Sequence, residues 1–269
     1  MLWFSNQNIA IIFSEKSDGD MLFKTNDSPL NEKIKANRQL FFDKNNIDAS
    51  RLVNIYGTHE SDIFIVDEKD LGSGALNAET RIEDYDGLIT DIKDSYLMVT
   101  GADCFPVFFY DENKDVIAAA HCGWRGILMG LPAKMIEKFK NEFGSNPADI
   151  IIWIGPGIKS CHYDVLQERA DLFSKDYKEC IIIKDNKIFL DLAEIIALQL
   201  TGAGVNPHTK REVVPSAQKN ISPRYGVGVK PEKITTHPDC TFCEKDKYFS
   251  YRRDKPEIIQ ANAFIINLK

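Results

Sequence analysis

Thr100-Gly-Ala-Asp-Cys-Phe-Pro-Val-Phe-Phe-Tyr-Asp-Glu-Asn-Lys-Asp-Val-Ile-Ala-Ala-Ala-His-Cys-Gly-Trp-Arg-Gly126 is the stretch around which this chain is organised. Val99 to Tyr110 is rich in apolar and aromatic residues, and Val116 to Ala120 is a short apolar run. Asp111 to Asp115 between them is polar and turn-compatible, so the pattern predicts strand, tight turn and strand. Closure on a two-residue loop at Glu112-Asn113 pairs Asp111 with Lys114 and sets Cys104 opposite His121. Side chains directly opposed in an antiparallel pair have Cβ atoms about 5 Å apart, so one metal ion would reach both. Pro106 marks an edge or a bulge in the first strand.

Outward from the hairpin, Ile127, Leu131, Met135, Phe139 and Phe143 recur every fourth residue and predict a helix closed by Gly144. Pro132 fits that helix if its regular part begins only a residue or two earlier. Ile150 to Ile154 reads as a buried strand running into Gly155-Pro-Gly157, which is too short to be a phosphate loop by itself. Strands are also expected at Asn8–Ser14, Ile63–Val66, Ile181–Ile183 and Ala263–Leu268, and helices after Ser28-Pro29 and over Asp191–Leu200. Residues 206–238 hold several Pro and Gly and read as a long loop or insertion. With no internal repeat and no clear linker, 269 residues are expected to form a single domain of mixed α and β structure.

A composition of 43% hydrophobic and 27% charged residues is ordinary for a globular protein. The formal net charge of -7 argues against a nucleic-acid surface, which carries a basic excess. No apolar run approaches the roughly 20 residues that span a bilayer, so no membrane partner is expected. The first residues lack the basic start and apolar core of a secretory signal. Six cysteines lie beside His, Asp and Gly residues and suggest thiols rather than a disulfide scaffold, so a cytoplasmic protein is expected.

Several residues carry chemistry. Cys104 and His121 need a third ligand to make a catalytic zinc site, and His59, in the Gly57-Thr-His-Glu60 turn, is the leading candidate. His162, beside Cys161, is the runner-up. Two histidines and one cysteine suit Zn2+, and copper also binds such a set well. Arg125 lies at the mouth of a helix, where a guanidinium and backbone N–H groups make an anion site, or it stacks on Trp124. Arg252-Arg253 is a second candidate clamp, and Arg38 joins Arg125 and Arg253 as an expected substrate-binding arginine. Asp86 and Asp103 adjoin turns, where they orient a ligand, act as acid or base, or cap the turn. Cys240-Thr-Phe-Cys243 has the spacing of half a metal site. It is not a nucleobase-deaminase motif, because the H-x-E half is missing and Glu60 follows His59 directly.

Ala102-Asp-Cys-Phe-Pro-Val107, Ala119-Ala-His-Cys-Gly-Trp-Arg-Gly126, Ile154-Gly-Pro-Gly-Ile-Lys-Ser-Cys-His-Tyr-Asp-Val165, Phe189-Leu-Asp-Leu192 and Cys240-Thr-Phe-Cys243 with Phe249-Ser-Tyr-Arg-Arg-Asp254 stand in one order. Together they resemble the bacterial laccase-domain family, described first as multicopper polyphenol oxidoreductases and later as purine nucleoside phosphorylases with adenosine deaminase activity. The similarity runs from about Ser17 to the C-terminus. The resemblance implies an α+β fold of αββα-like type, with mixed β-sheets packed face to face and helices on the outside. It also implies a zinc site of His59, Cys104 and His121. The family's first histidine lies in a Gln-Val-His segment, which is matched here by Gly57-Thr-His59, with Tyr56 as the competing position. Lys255 to Gln260 replaces the glycine-arginine segment usual after the Ser-Tyr-Arg-Arg-Asp block.

The activity implied is phosphorolysis of adenosine, inosine, guanosine or methylthioadenosine to the base and ribose 1-phosphate, a transferase reaction. Hydrolytic deamination of adenosine at a zinc-activated water accompanies it. Cys104, His121, Arg125, Asp103 and Asp86 are then the expected catalytic residues, in a monomer or small homo-oligomer whose partners are a purine nucleoside and phosphate. Two alternatives belong to other classes: a copper-dependent phenol oxidase, for which five histidines are few, and a non-catalytic nucleotide-binding or redox-sensing protein.

Overall fold

The computed structural model describes residues 1–25, 28–206 and 233–269. In chain order its strands are β1 (Leu2–Ser5), β2 (Ile9–Phe13), β3 (Leu52–Asn54), β4 (Ile63–Ile65), β5 (Gly87–Thr90), β6 (Ser95–Gly101), β7 (Phe105–Asp111), β8 (Val116–Cys122), β9 (Ile151–Ile154), β10 (Asp164–Val165), β11 (Ile181–Lys184), β12 (Lys187–Leu190), β13 (Ile234–Thr236) and β14 (Asn262–Leu268). The helices are α1 (Leu30–Asn45), α2 (Trp124–Leu128), α3 (Leu131–Phe143), α4 (Gln167–Ser174), α5 (Leu192–Gly202) and α6 (Tyr251–Asp254).

Two mixed sheets face each other. One has the order β1-β2-β14-β6-β3 and the other β13-β9-β7-β8-β5-β4. Alternate residues of these strands point to opposite faces, so each strand supplies two cores. Ile9, Ile11 and Phe13, Leu97 and Val99, and Phe264 and Ile266 from the first sheet meet Phe108, Tyr110, Ile117 and Trp153 from the second. The outer face of the second sheet, through Val107, Phe109, Ala118 and Ile152, packs on Leu131, Met135, Ile136 and Phe139 of α3 and Ile195 and Ile196 of α5. The outer face of the first, through Ile12, Met98 and Ile265, packs on Phe41 and Phe42 of α1. This is the expected αββα arrangement, with a small antiparallel sheet, β10-β12-β11, beside it. Among the described residues no helix is long and apolar enough to cross a membrane.

Ile127 falls in the separate α2, cut off by Gly130 at φ 79, whereas from Leu131 to Phe143 the apolar stripe forms α3 as expected. Pro132 sits in its first turn, where no amide hydrogen is needed, and Gly144 closes it at φ 64. The hairpin differs from its expected form in two respects. Asp111 pairs with Val116, so the loop spans residues 112–115, and Pro106 rather than Cys104 faces His121. The slip is by two residues, an even number, so the faces of the strands keep their parity and Cys104 remains on the side of His121. Secondly, the apolar run from Val99 to Tyr110 is two strands rather than one. It breaks at residues 102–104, where Asp103 takes φ 94, and passes there from the first sheet to the second. Of the segment expected to be a loop or insertion at 206–238, residues 207–232 lie outside the described residues, and its end carries β13 parallel to β9.

Candidate metal centre

The break between β6 and β7 places Cys104 at the seam of the two large sheets, where β8 ends with His121 and Cys122. The chain leaving β3 delivers His59 to the same point in a left-handed conformation, φ 65. Two non-glycine residues with positive φ, His59 and Asp103, thus flank the thiol, and such outliers gather where a site over-determines the backbone. One ligand atom from each of His59, Cys104 and His121 lies within 4.8 Å of the others. Cys104 Sγ is 3.9 Å from His59 Nε2. The two imidazole rings meet edge to face at 5.1 Å.

Asp86, fully buried before β5, holds this set together. Its Oδ2 accepts from Glu60 N at 2.7 Å and from Thr58 N at 3.2 Å, which fixes the turn bearing His59. Its Oδ1 lies 2.7 Å from His121 Nδ1. Burial pushes the Asp86 carboxyl up, but the His121 hydrogen bond and charge and the Glu60 amide outweigh it and bring it below its ordinary value. An ionised carboxylate accepts only, so His121 Nδ1 carries hydrogen and Nε2 is the nitrogen free to bind a metal. This carboxylate–histidine pairing is the support that zinc ligands commonly have.

Two glycines leave room for it. A Cβ on Gly57 would stand 2.8 Å from Asp86 Oδ1 and closer still to His121, and one on Gly123 would stand 2.7 Å from His59 Cδ2 and 3.2 Å from Cys104 Sγ. The donor set of two imidazoles and one thiol fits zinc, and three protein ligands leave a position open to water or substrate.

Burial raises the Cys104 thiol, yet the charge of His121 and hydrogen bonds from both histidines bring it down to about 6. Burial likewise opposes protonation of His121, but Cys104 and Asp86 raise it to about 10. Without metal the pair is therefore thiolate and imidazolium at neutral pH. In metal-free protein, alkylation of Cys104 is expected to rise with pH about a midpoint near 6, because the reactive thiolate forms above that value. His121→Gln removes the compensating charge and is expected to move the midpoint upward, towards the ordinary value of about 8.5. Cys122, whose thiol burial pushes up, serves as an unreactive control. Mass spectrometry of the alkylated peptides measures both, and an ordinary midpoint in the unsubstituted protein would refute the pairing.

The ligands open onto a cavity of ≈ 450 Å³, within the range of small-molecule sites. Arg125 from α2, Arg169 from α4 and Arg252 from α6 line it, with Tyr56, Trp124 and Tyr163 among the apolar walls. The guanidinium carbons of Arg125 and Arg169 lie 4.7 and 4.3 Å from the Trp124 ring, so one indole holds two cations in the cavity. Arg252 Nη1 donates to Asp164 Oδ1 at 2.9 Å. Asp103 lines the cavity too, but its oxygens accept from Thr241 Oγ1 and Arg252 N, each at 2.7 Å.

The expected residues His59, Cys104, His121, Asp86, Asp103 and Arg125 are thus brought together, and three others are not. Arg38 is fully buried on the core-facing stripe of α1, and it donates to Met21 O, Gly74 O, Ala75 O and Asn54 Oδ1. It braces the fold and reaches no substrate, because every part of its fork is engaged away from the cavity. Arg253 donates to Thr241 O, Tyr248 O and Asp254, which leaves its neighbour Arg252 on the cavity wall. His162, the alternative third ligand, lies with Cys161, Cys240 and Cys243 instead. Arg169 was not foreseen. It sits in a polar helix about 44 residues from Arg125, and the packing of α4 against β11 and β12 brings it in.

A family model described as multi-copper polyphenol oxidoreductase laccase matches residues 6–221 and 224–266. A purine nucleoside phosphorylase of Clostridium acetobutylicum is 32% identical over 268 residues, which cover 98% of this chain and 94% of that protein. Purine nucleoside phosphorylase YlmD of Bacillus subtilis is 28% identical over 86% of this chain and 76% of its own length. Among solved structures, YlmD of Geobacillus stearothermophilus superposes with a TM-score of 0.82 at 25% identity, covering 98% of this chain and 93% of that one. A Bacillus licheniformis hypothetical protein, YfiH, gives 0.81 at 29%, covering 97% and 93%.

Proposed function

The chain belongs to the multi-copper polyphenol oxidoreductase laccase family, and on that footing we propose that it is a zinc-dependent purine nucleoside phosphorylase that also deaminates adenosine. The observation that carries this reading is one cavity facing both ways. His59, Cys104 and His121 line the same cavity as Arg125, Arg169 and Arg252. The relatives' names supply the reaction class. Adenosine, inosine, guanosine and methylthioadenosine are the substrates in this reading.

In phosphorolysis a phosphate oxygen bonds to ribose C1′ as the bond from C1′ to the base breaks. The base leaves with the bonding pair and takes up a proton. Positive charge gathers on the sugar, so positioning the phosphate anion beside C1′ does most of the work. Arg125 and Arg169, pinned on Trp124, hold the phosphate, with Arg252 completing the wall. The rings of Tyr56, Trp124 and Tyr163 offer flat apolar surface to the base. Asp86 and Asp103 are positioning residues in this scheme: the first is buried behind His121, and both oxygens of the second are engaged. His59, Cys104 and His121 would hold the zinc, which when bound would supply Lewis-acid activation, including that of water for attack at adenine C6.

Adenosine incubated with metal-replete protein is expected to give adenine and ribose 1-phosphate when phosphate is present, and inosine when it is absent. Chromatography that finds neither product sinks the proposal. Arg125→Ala is expected to raise the KM for phosphate about 10–100-fold with a smaller change in kcat, the loss of one charge-assisted contact. Stoichiometric zinc supports this chemistry, whereas copper with phenol turnover would return the chain to the family's older description.

A further inference from the structure

A second cluster lies outside the cavity. Cys161 and His162 form the turn before β10, and Cys240 and Cys243 form a Cys-x-x-Cys turn after β13. The two turns are about 80 residues apart in sequence, and they are joined where Gly157 bridges to Cys240. One ligand atom from each of the four residues lies within 4.8 Å of the rest. Cys161 Sγ is 3.9 Å from Cys243 Sγ, and His162 Nδ1 is 3.2 Å from Cys161 Sγ and 3.3 Å from Cys243 Sγ.

We propose that Cys161, His162, Cys240 and Cys243 form a second, structural zinc site of three thiolates and one imidazole. The spacing fits. Bonds of about 2.3 Å to sulfur and 2.0 Å to nitrogen in a tetrahedron give edges of about 3.8 Å between sulfurs and about 3.5 Å between sulfur and nitrogen. A disulfide would instead bring the sulfurs to about 2.0 Å. Neighbouring side chains ordinarily diverge, yet those of Cys161 and His162 turn to one point. The Phe242 ring stacks on the imidazole at 4.1 Å and fixes its plane. The Cys240 turn is closed by the amides of Cys243 and Glu244 on Cys240 O, and Lys159 N points at Cys240 Sγ from 3.4 Å. An amide directed at sulfur is the kind of support that orients and steadies a metal-bound thiolate. Four protein donors close the coordination shell and leave no open position, which is the mark of a structural rather than a catalytic zinc.

The site ties two walls of the cavity together. Thr241 and Phe242, inside the Cys-x-x-Cys turn, receive Arg253, and Thr241 Oγ1 and Arg252 N hold the two oxygens of Asp103. On the other strand of the clamp, Tyr163 and Asp164 follow His162 directly and engage Arg252. Metal at this cluster therefore fixes the wall that carries Arg252.

Metal counting on the full chain tests the site independently of any nucleoside chemistry. Unsubstituted protein is expected to hold two zinc equivalents, one per cluster. Cys104→Ala is expected to keep one, and Cys161→Ser with Cys243→Ser is expected to keep one. Retention of two by the double variant, or loss of all zinc in Cys104→Ala, overturns the proposal. Should the double variant fail to fold, the unsubstituted protein still decides. Cobalt exchanged into Cys104→Ala is expected to show the strong near-ultraviolet thiolate charge transfer of a tetrahedral site. Its absence, or a Cys161–Cys243 disulfide in peptides from metal-replete protein, refutes the site. If the unsubstituted, metal-replete protein leaves adenosine untouched while Cys104→Ala still retains its zinc, the phosphorylase reading falls and this one stands.

Discussion

Asp86→Asn is expected to weaken the proposed zinc binding at His59, Cys104 and His121 about 10–100-fold, the usual cost of losing a carboxylate behind a metal-binding histidine. The substitution changes almost no volume, so the effect is electronic and directional. Asp86 accepts from Thr58 and Glu60 on one oxygen and from His121 on the other. An asparagine can offer oxygen to only one side. If it serves the amides, its NH2 group faces His121 Nδ1 and drives the ring hydrogen to Nε2, the nitrogen the metal needs. If it serves His121, two amides of the turn that holds His59 lose their acceptor. Either way one ligand is misdirected. The same change removes a buried ionised partner and is expected to cost about 3–5 kcal/mol of stability in metal-free protein. Competition with a chelator of known affinity measures the first effect and urea titration the second. An unchanged zinc affinity would refute the role given to Asp86.

Arg38→Met is expected to destabilise the protein by about 3–5 kcal/mol without touching the cavity. Methionine fills much of the same channel, but the carbonyls of Met21, Gly74 and Ala75 and the amide oxygen of Asn54 lose their buried donor. The Phe23 ring also loses a guanidinium 4.0 Å from its centre. These acceptors sit on three separate segments, the strip entering α1, the 74–75 turn and the end of β3. Their loosening is thus expected to appear as one lower midpoint in urea rather than as a local change. Arg38→Lys, with fewer and rounder donors, is expected to recover only part of the loss. A midpoint like that of the unsubstituted protein would show that water replaces the fork without cost.

The difference between Arg38 and Asp86 shows what a linear reading can reach. Asp86 could be named because it stands in a turn next to a strand, where a carboxylate does chemistry or caps. Arg38, expected among the substrate-binding arginines, lies four residues from Ile34 and three from Phe41 on the buried stripe of α1. His59, Cys104 and His121, the proposed metal ligands, could be named from residue type and turn context, and the even slip of the hairpin kept Cys104 on the face of His121 although Pro106 took the direct pairing. The break at residues 102–104 had a sign in Gly101 and Asp103, but a run of apolar residues on both sides masks it. Arg169 and the meeting of Cys161-His162 with Cys240 and Cys243 depend on pairings across tens of residues. Local patterns carry no record of those.

The place of β14 has a consequence for how the protein comes into being. It lies between β2 and β6, in the middle of its sheet, though it follows both by well over a hundred residues. While the polypeptide is being synthesised, β2 and β6 each expose an unpaired edge until residues 262–268 have left the ribosome. A nascent chain stalled before that point carries two open edges over a half-built core, a form suited to chaperone capture or aggregation. The turns around His59, Cys104 and His121 are all made earlier, yet the sheet that seats Cys104 is completed only when that late strand slides between its neighbours.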